Sequence, residues 1–122
     1  MDGALVPDCI NRRIAEDERA YSGVGRGWFP LLERLDADLA ALIPDYKVAQ
    51  VKEKFGGLRF YVDYPENSDP VAQERARLLI CEAQNASLEI CDECGEVGKP
   101  RPGRWLVIRC DQHAPPTPQP SP

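Results

Sequence analysis

Four side chains near the C-terminal end constrain this chain more than any other feature. Cys91-x2-Cys94 and Cys110-x2-His113 are two pairs, each with two intervening residues, and fifteen residues separate them. Two thiolates two residues apart can grip one metal ion from a tight turn, and a second such pair completes a tetrahedron. Gly95 follows the first pair and relieves the turn, letting backbone amides approach the sulfurs. The segment Gly98-Lys99-Pro100-Arg101-Pro102-Gly103 reverses the chain, and Trp105 to Arg109 reads as a strand that returns the second pair. The only histidine stands where a fourth ligand is needed. The spacing is that of a zinc ribbon with histidine in place of its last cysteine, and it predicts one structural Zn2+ per chain over residues 91–113. Four filled positions favour a structural ion, because a catalytic one keeps a position open. The plain alternative is two chance pairs in a cysteine-bearing chain.

The remainder reads as an α+β body over residues 1–90: two N-terminal helices, a β-hairpin and a third helix. Asp8 caps a first helix expected to run to about residue 21, with Ile10 and Ile14 on one face. A glycine-rich link, Ser22 to Gly27, precedes a second helix over about 28–43. Trp28, Leu31, Leu32, Leu35, Leu39, Leu42 and Ile43 form its apolar stripe, with Pro30 in the first turn and Pro44 at the end. Residues 46–64 read as a hairpin turning at Gly56-Gly57. That register sets Phe55 opposite Leu58, Glu53 opposite Phe60 and Val51 opposite Val62. A short helix with Val48, Val51 and Phe55 on one stripe is the competing reading of the first arm. A third helix starts at Asp69-Pro70 and runs to about residue 90, with Ala72, Ala76, Leu79, Ala83, Ala86 and Ile90 on one face. The proline-rich tail, 114–122, is expected to be disordered.

With 122 residues and 29% charged side chains, the chain has the size and balance of a single globular domain with an appended module. No apolar run is long enough to span a bilayer, and the first residues lack the pattern of a signal peptide. The expectation is therefore a cytoplasmic protein without membrane partners, whose thiols stay reduced. Cys9 and Cys81 are expected to be small buried hydrophobes. The net charge of −5 is uneven, since residues 46–64 carry four cations against two carboxylates in an otherwise acidic body. Lys52, Lys54, Arg59 and Tyr61 on the hairpin, and Lys99, Arg101, Arg104 and Trp105 around the ribbon loop, are the candidate partner-binding residues. In the expected register Lys54 faces Arg59, and opposed like charges destabilise a sheet unless an anion relieves them. Edge-strand protection and ordinary solvation are the bland explanations.

Catalysis has little support, and no catalytic residue is assigned. A zinc deaminase needs His-x-Glu ahead of Pro-Cys-x-x-Cys, whereas here the histidine follows both pairs and Ile90 precedes Cys91. A His-Glu-x-x-His protease site requires two histidines. The run Gly23-Val24-Gly25-Arg26-Gly27 follows a helix and lacks the lysine and hydroxyl of a phosphate-binding loop, so it reads as a flexible link.

The blocks Gly27-Trp28-Phe29 and Gln50-Val51-Lys52-Glu53-Lys54-Phe55-Gly56-Gly57-Leu58-Arg59-Phe60-Tyr61, with the two metal pairs, resemble a group of small phage and prophage proteins without assigned activity. The resemblance covers about residues 27–113 and implies a bacterial cytoplasm. It brings no catalytic residue. The expected function is a non-catalytic, zinc-stabilised accessory protein that binds a host or phage protein, such as a host enzyme or defence system that it inhibits. The alternative is a small nucleic-acid-binding regulator using the basic hairpin and the ribbon loop.

Overall fold

Leucines at helical spacing build the centre of the molecule. In the structure, a computed structural model that describes residues 5–115, helix α2 (Phe29–Leu42) follows a 3₁₀ turn at Arg26–Trp28. It buries Leu31, Leu32, Leu35 and Leu39, with Trp28 and Ile43 at its ends. Helix α3 (Pro70–Ser87) begins as its sequence predicts, with the Asp69 carboxylate accepting from the Val71 amide at 3.1 Å. Ala76, Ile80, Ala83 and Ser87 form its buried face, and the small side chains let it lie close against α2 and the hairpin. The helix ends at Ser87, three residues short of the expected stop. Ile90 instead forms an isolated bridge with Val97.

The competing readings of residues 46–55 resolve as strand. Strands β1 (Lys47–Lys54) and β2 (Gly57–Asp63) pair antiparallel, with Val51 opposite Phe60, Lys52 opposite Arg59 and Glu53 opposite Leu58. This register differs by two residues from the expected one, because the turn is Phe55-Gly56 and not Gly56-Gly57. Phe55 has φ 53° and Gly56 φ 86°, the signs of a type I′ turn. Left-handed backbone at Phe55 costs roughly 1–2 kcal/mol, and tertiary contacts account for it. Glycine is favoured at Gly56, whose φ few L residues adopt and where a Cβ would stand 3.2 Å from Leu106. The Glu53 carboxylate also accepts from the Gly56 amide at 2.5 Å. A bulge between Val48 and Gln50 turns both Val48 and Val51 inward, while Lys47, Gln50 and Lys52 share the outer side.

Residues 8–21 do not form one helix. Helix α1 covers only Asp8–Asn11, and a 3₁₀ segment follows at Glu16–Tyr21. Between them Ile14 bridges Val48, and the Val48 amide donates to the Arg13 carbonyl at 3.0 Å. A four-turn helix rich in acids is marginal alone, and here it is outcompeted by bonds to the outer edge of β1. The Ser22 hydroxyl accepts from the Val51 amide, and the Gly23 amide donates to the Val51 carbonyl, at 3.0 and 2.8 Å. The outer edge of β2 is covered by side chains of α3, with the Leu58 amide on Ser87 Oγ at 2.9 Å and the Phe60 amide on Gln84 Oε1 at 3.1 Å. A second small hairpin, β3 (Lys99–Arg101) and β4 (Val107–Arg109), precedes a 3₁₀ turn at Asp111–His113. The strand expected over 105–109 therefore starts two residues later. No helix among the described residues is long and apolar enough to cross a membrane. The expectation for the tail falls almost wholly on 116–122, outside the described residues.

Candidate metal centre and surface sites

Cys91 is delivered by the chain leaving α3, and a knuckle turn presents Cys94. The Gly95 amide donates to the Cys91 carbonyl at 2.9 Å, and Gly95 has φ +85°. Strand β4 returns Cys110, and the 3₁₀ turn after it aims His113 Nδ1 inward. The four ligand atoms all lie within 4.8 Å of one another. Cys94 Sγ and Cys110 Sγ are 3.7 Å apart, Cys91 Sγ and His113 Nδ1 3.8 Å, and Cys110 Sγ and His113 Nδ1 3.2 Å. A tetrahedral ion about 2.3 Å from each sulfur spaces its ligands by about 3.8 Å, so these separations fit a shared metal ion. A disulfide would require about 2.05 Å between sulfurs, and all five cysteines are free.

The local field prepares the cluster for a cation. Burial raises the Cys91 thiol, but backbone amides of Cys110, Cys94 and Glu93 directed at its sulfur outweigh that and hold it down to about 6. Desolvation likewise works against Cys110, yet the His113 ring and amide bring it below the usual thiol range. The hydrogen bond to Cys110 raises His113. For Cys94 the Glu96 amide acts downward, but desolvation and the neighbouring Cys91 and Cys110 leave it raised. Protons are thus shared unevenly over the four donors, and a divalent cation would displace them.

The body is built around this cluster. The Gly27 amide donates to the Asp92 carbonyl at 2.9 Å, and Trp28 Nε1 donates to the Ile90 carbonyl at 2.9 Å. A side chain on Gly27 would stand 2.0 Å from the Cys91 carbonyl oxygen, and one on Gly25 would stand 2.0 Å from that of Asp92. The glycine run is therefore a packing surface for the knuckle and not a flexible link. At the other side, Gly56 of the hairpin turn sits against Leu106 and Ile108. Arg109 crosses back to Asp92 at 2.9 Å.

The candidate surface residues separate into engaged and open ones. Arg101 is engaged: its Nε donates to the Arg109 carbonyl and its guanidinium pairs with Asp111 at 2.7 Å. Lys99 is exposed, opposite Arg109 in the small hairpin. Trp105 lies outside β4 and is 74% exposed, with the Arg104 guanidinium 5.9 Å from its ring centre. On the first hairpin Lys54 stands 5.7 Å over the Phe55 ring, which is 73% exposed. Lys52 and Arg59, not Lys54 and Arg59, are the opposed like charges. Tyr61 is exposed on the same side, opposite Gln50. Cys9 and Cys81 are half-buried and not fully buried; burial, helped by Asp36 and Glu33, raises the Cys9 thiol and makes it a poor nucleophile.

Two features escaped the sequence reading. Phe55 as a surface group was masked by its expected pairing with Leu58. A buried Arg13–Asp36–Tyr46 cluster joins the N-terminal segment, α2 and the start of the hairpin, and its only sequence signal is an acid inside an apolar stripe. No family model, curated protein or solved structure matches this chain.

Proposed function

We propose that this protein is a non-catalytic binding module, stapled by one structural zinc ion, that engages a partner protein through the tip of its first hairpin. The observation that carries this reading is the apolar patch around the Gly56–Leu106 contact. Phe55, Leu88 and Leu106 are all substantially exposed there. Phe55 is held in left-handed backbone while three-quarters of its surface faces water, so the fold gains little from it. Lys54 lies over the Phe55 ring. An exposed aromatic ring beside aliphatic side chains is a common anchor of protein interfaces. A partner surface with apolar pockets rimmed by carboxylates has the matching chemistry.

Zinc is the metal of choice because three thiolates and one imidazole in a closed tetrahedral set suit it best among common cytoplasmic ions. No donor position is left for water, which favours structure over catalysis. The resemblance to small phage and prophage proteins makes a bacterial enzyme or defence protein the class of partner to seek.

Elemental analysis and paired affinity capture test the two halves separately. One zinc per chain is expected, lost in Cys91→Ser and His113→Ala. From a bacterial lysate, the wild type should enrich a partner that a Phe55→Ser/Leu106→Ser variant with full metal content does not. A metal-free native protein defeats the zinc assignment. Equal enrichment by both baits defeats the patch.

A further inference from the structure

The bulge in β1 creates a second surface feature, away from the metal donors. A cleft of about 900 Å³ lies between the segment 12–21 and the outer side of the hairpin, within the size range of ligand sites. Arg12, Lys47, Lys52, Tyr21 and Tyr61 supply its cations and its rings. Two carboxylates, Glu18 and Asp63, also line it, and Asp63 stands opposite Lys47. Arg13 is committed to Asp36. Among the described residues, Lys52 has no hydrogen-bond or ion-pair partner, although it faces Arg59 directly across the sheet. Opposed like charges on neighbouring strands destabilise a sheet. They persist here in a chain of net charge −5, in which a carboxylate partner would be easy to supply.

The rings complete the chemistry. Tyr21 is 68% exposed and Tyr61 44% exposed, and Tyr61 lies diagonal to Lys52 on the same side of the sheet. A phosphate flanked by a planar base meets both needs, because cations take the phosphate and an aromatic face takes the base. Without the bulge, strict alternation would put Lys47 on the other side from Gln50 and Lys52. We propose that this cleft binds a nucleotide unit, with its phosphate at Lys52, Arg12 and Lys47 and its base on Tyr21 or Tyr61. The unit is either a free nucleotide or one link of a single strand. This inference rests on the cleft alone and stands whether or not the hairpin tip engages a protein.

The test uses the zinc-loaded full chain with two probes, ADP and a fluorescein-labelled oligothymidylate of about 12 nucleotides. Binding is followed at low salt by calorimetry and by anisotropy. Lys52→Glu should weaken binding about tenfold or more, the scale of one lost charge-assisted phosphate contact. Tyr61→Ala should weaken it about fivefold or more. Arg75→Glu, on α3 and outside the cleft, should change it less than about twofold. Circular dichroism and zinc content verify folding, and Lys52→Gln replaces Lys52→Glu if that variant is unfolded. Binding of ADP alone identifies a free-nucleotide site, and binding of the strand alone or of both identifies a strand site. No binding of either probe overturns the proposal, as does an equal loss in Arg75→Glu.

Discussion

Asp36 sits inside the apolar stripe of α2, and its carboxylate accepts from Arg13 Nε at 2.6 Å and from the Tyr46 hydroxyl at 2.5 Å. Arg13 also donates to the Pro44 and Tyr46 carbonyls and lies 4.1 Å over the Tyr46 ring. Nothing in the spacing of these residues announces the cluster, because its members come from three separate elements. Burial, then the hydrogen bond to Asp36, raises the Tyr46 hydroxyl above its usual value of 10.0. The unfolded chain therefore releases this proton at lower pH than the folded chain does. Above about pH 10 the folded state binds more protons than the unfolded one, and stability falls as pH rises. Tyr46→Phe loses a hydrogen bond worth about 1–1.5 kcal/mol at neutral pH, but it also loses this titration. Urea unfolding from pH 8 to 11 should show the two stability curves converging above about pH 10, and parallel curves would refute the assignment.

Each element is held by side chains as much as by strand pairing. A two-stranded hairpin is marginal by itself, and here both outer edges are closed without a third strand. Ser87 and Gln84 of α3 accept from the free amides of β2, and the segment 13–23 covers β1. The apolar faces of α2 and β2 were legible from periodicity, whereas the edge closure was not, because a serine on a helix gives no sign of which amide it meets. Ser87→Ala removes the acceptor of a buried amide and should cost about 1–3 kcal/mol. Amide exchange at Leu58 should quicken more than at residues paired within the hairpin. An unchanged rate there would mean that the edge of β2 is closed in some other way.

At the scale of the whole molecule the metal cluster joins the N-terminal segment, the hairpin tip and the C-terminal strands. Cys91 is fully buried, and its carbonyl lies where any side chain at Gly27 would have to go. Zinc binding in finger peptides is worth about 10–16 kcal/mol, comparable to the whole stability of a typical domain. Loosening the knuckle should therefore be felt far beyond residues 91–113. Gly27→Ala should destabilise the protein by about 2 kcal/mol or more and, if the cluster holds the proposed zinc, speed its loss to a chelator. Gly103→Ala, whose nearest contact would be 3.8 Å away, should be nearly neutral. Thermal melts and chelator competition on the two variants check this, and similar behaviour of both would sever the link between body and cluster.

The sequence by itself determined the four residues of the Cys/His cluster, the stripe of α2, the cap of α3 and the strand that follows the hairpin turn. Ligand spacing, helical period and capping chemistry act over a few residues, so each leaves its mark locally. Tertiary structure decided the rest. The turn fell at Phe55-Gly56, with Gly56 in left-handed backbone against Leu106, and Phe55 was exposed as a result. The first helix broke because Arg13 and Ile14 bond more favourably to Asp36 and Val48 than a short acidic helix bonds to itself. The glycine run became a seat for the knuckle because two backbones approach there more closely than a Cβ permits. Each of these outcomes depends on a competition between distant partners, and no local pattern encodes which partner wins.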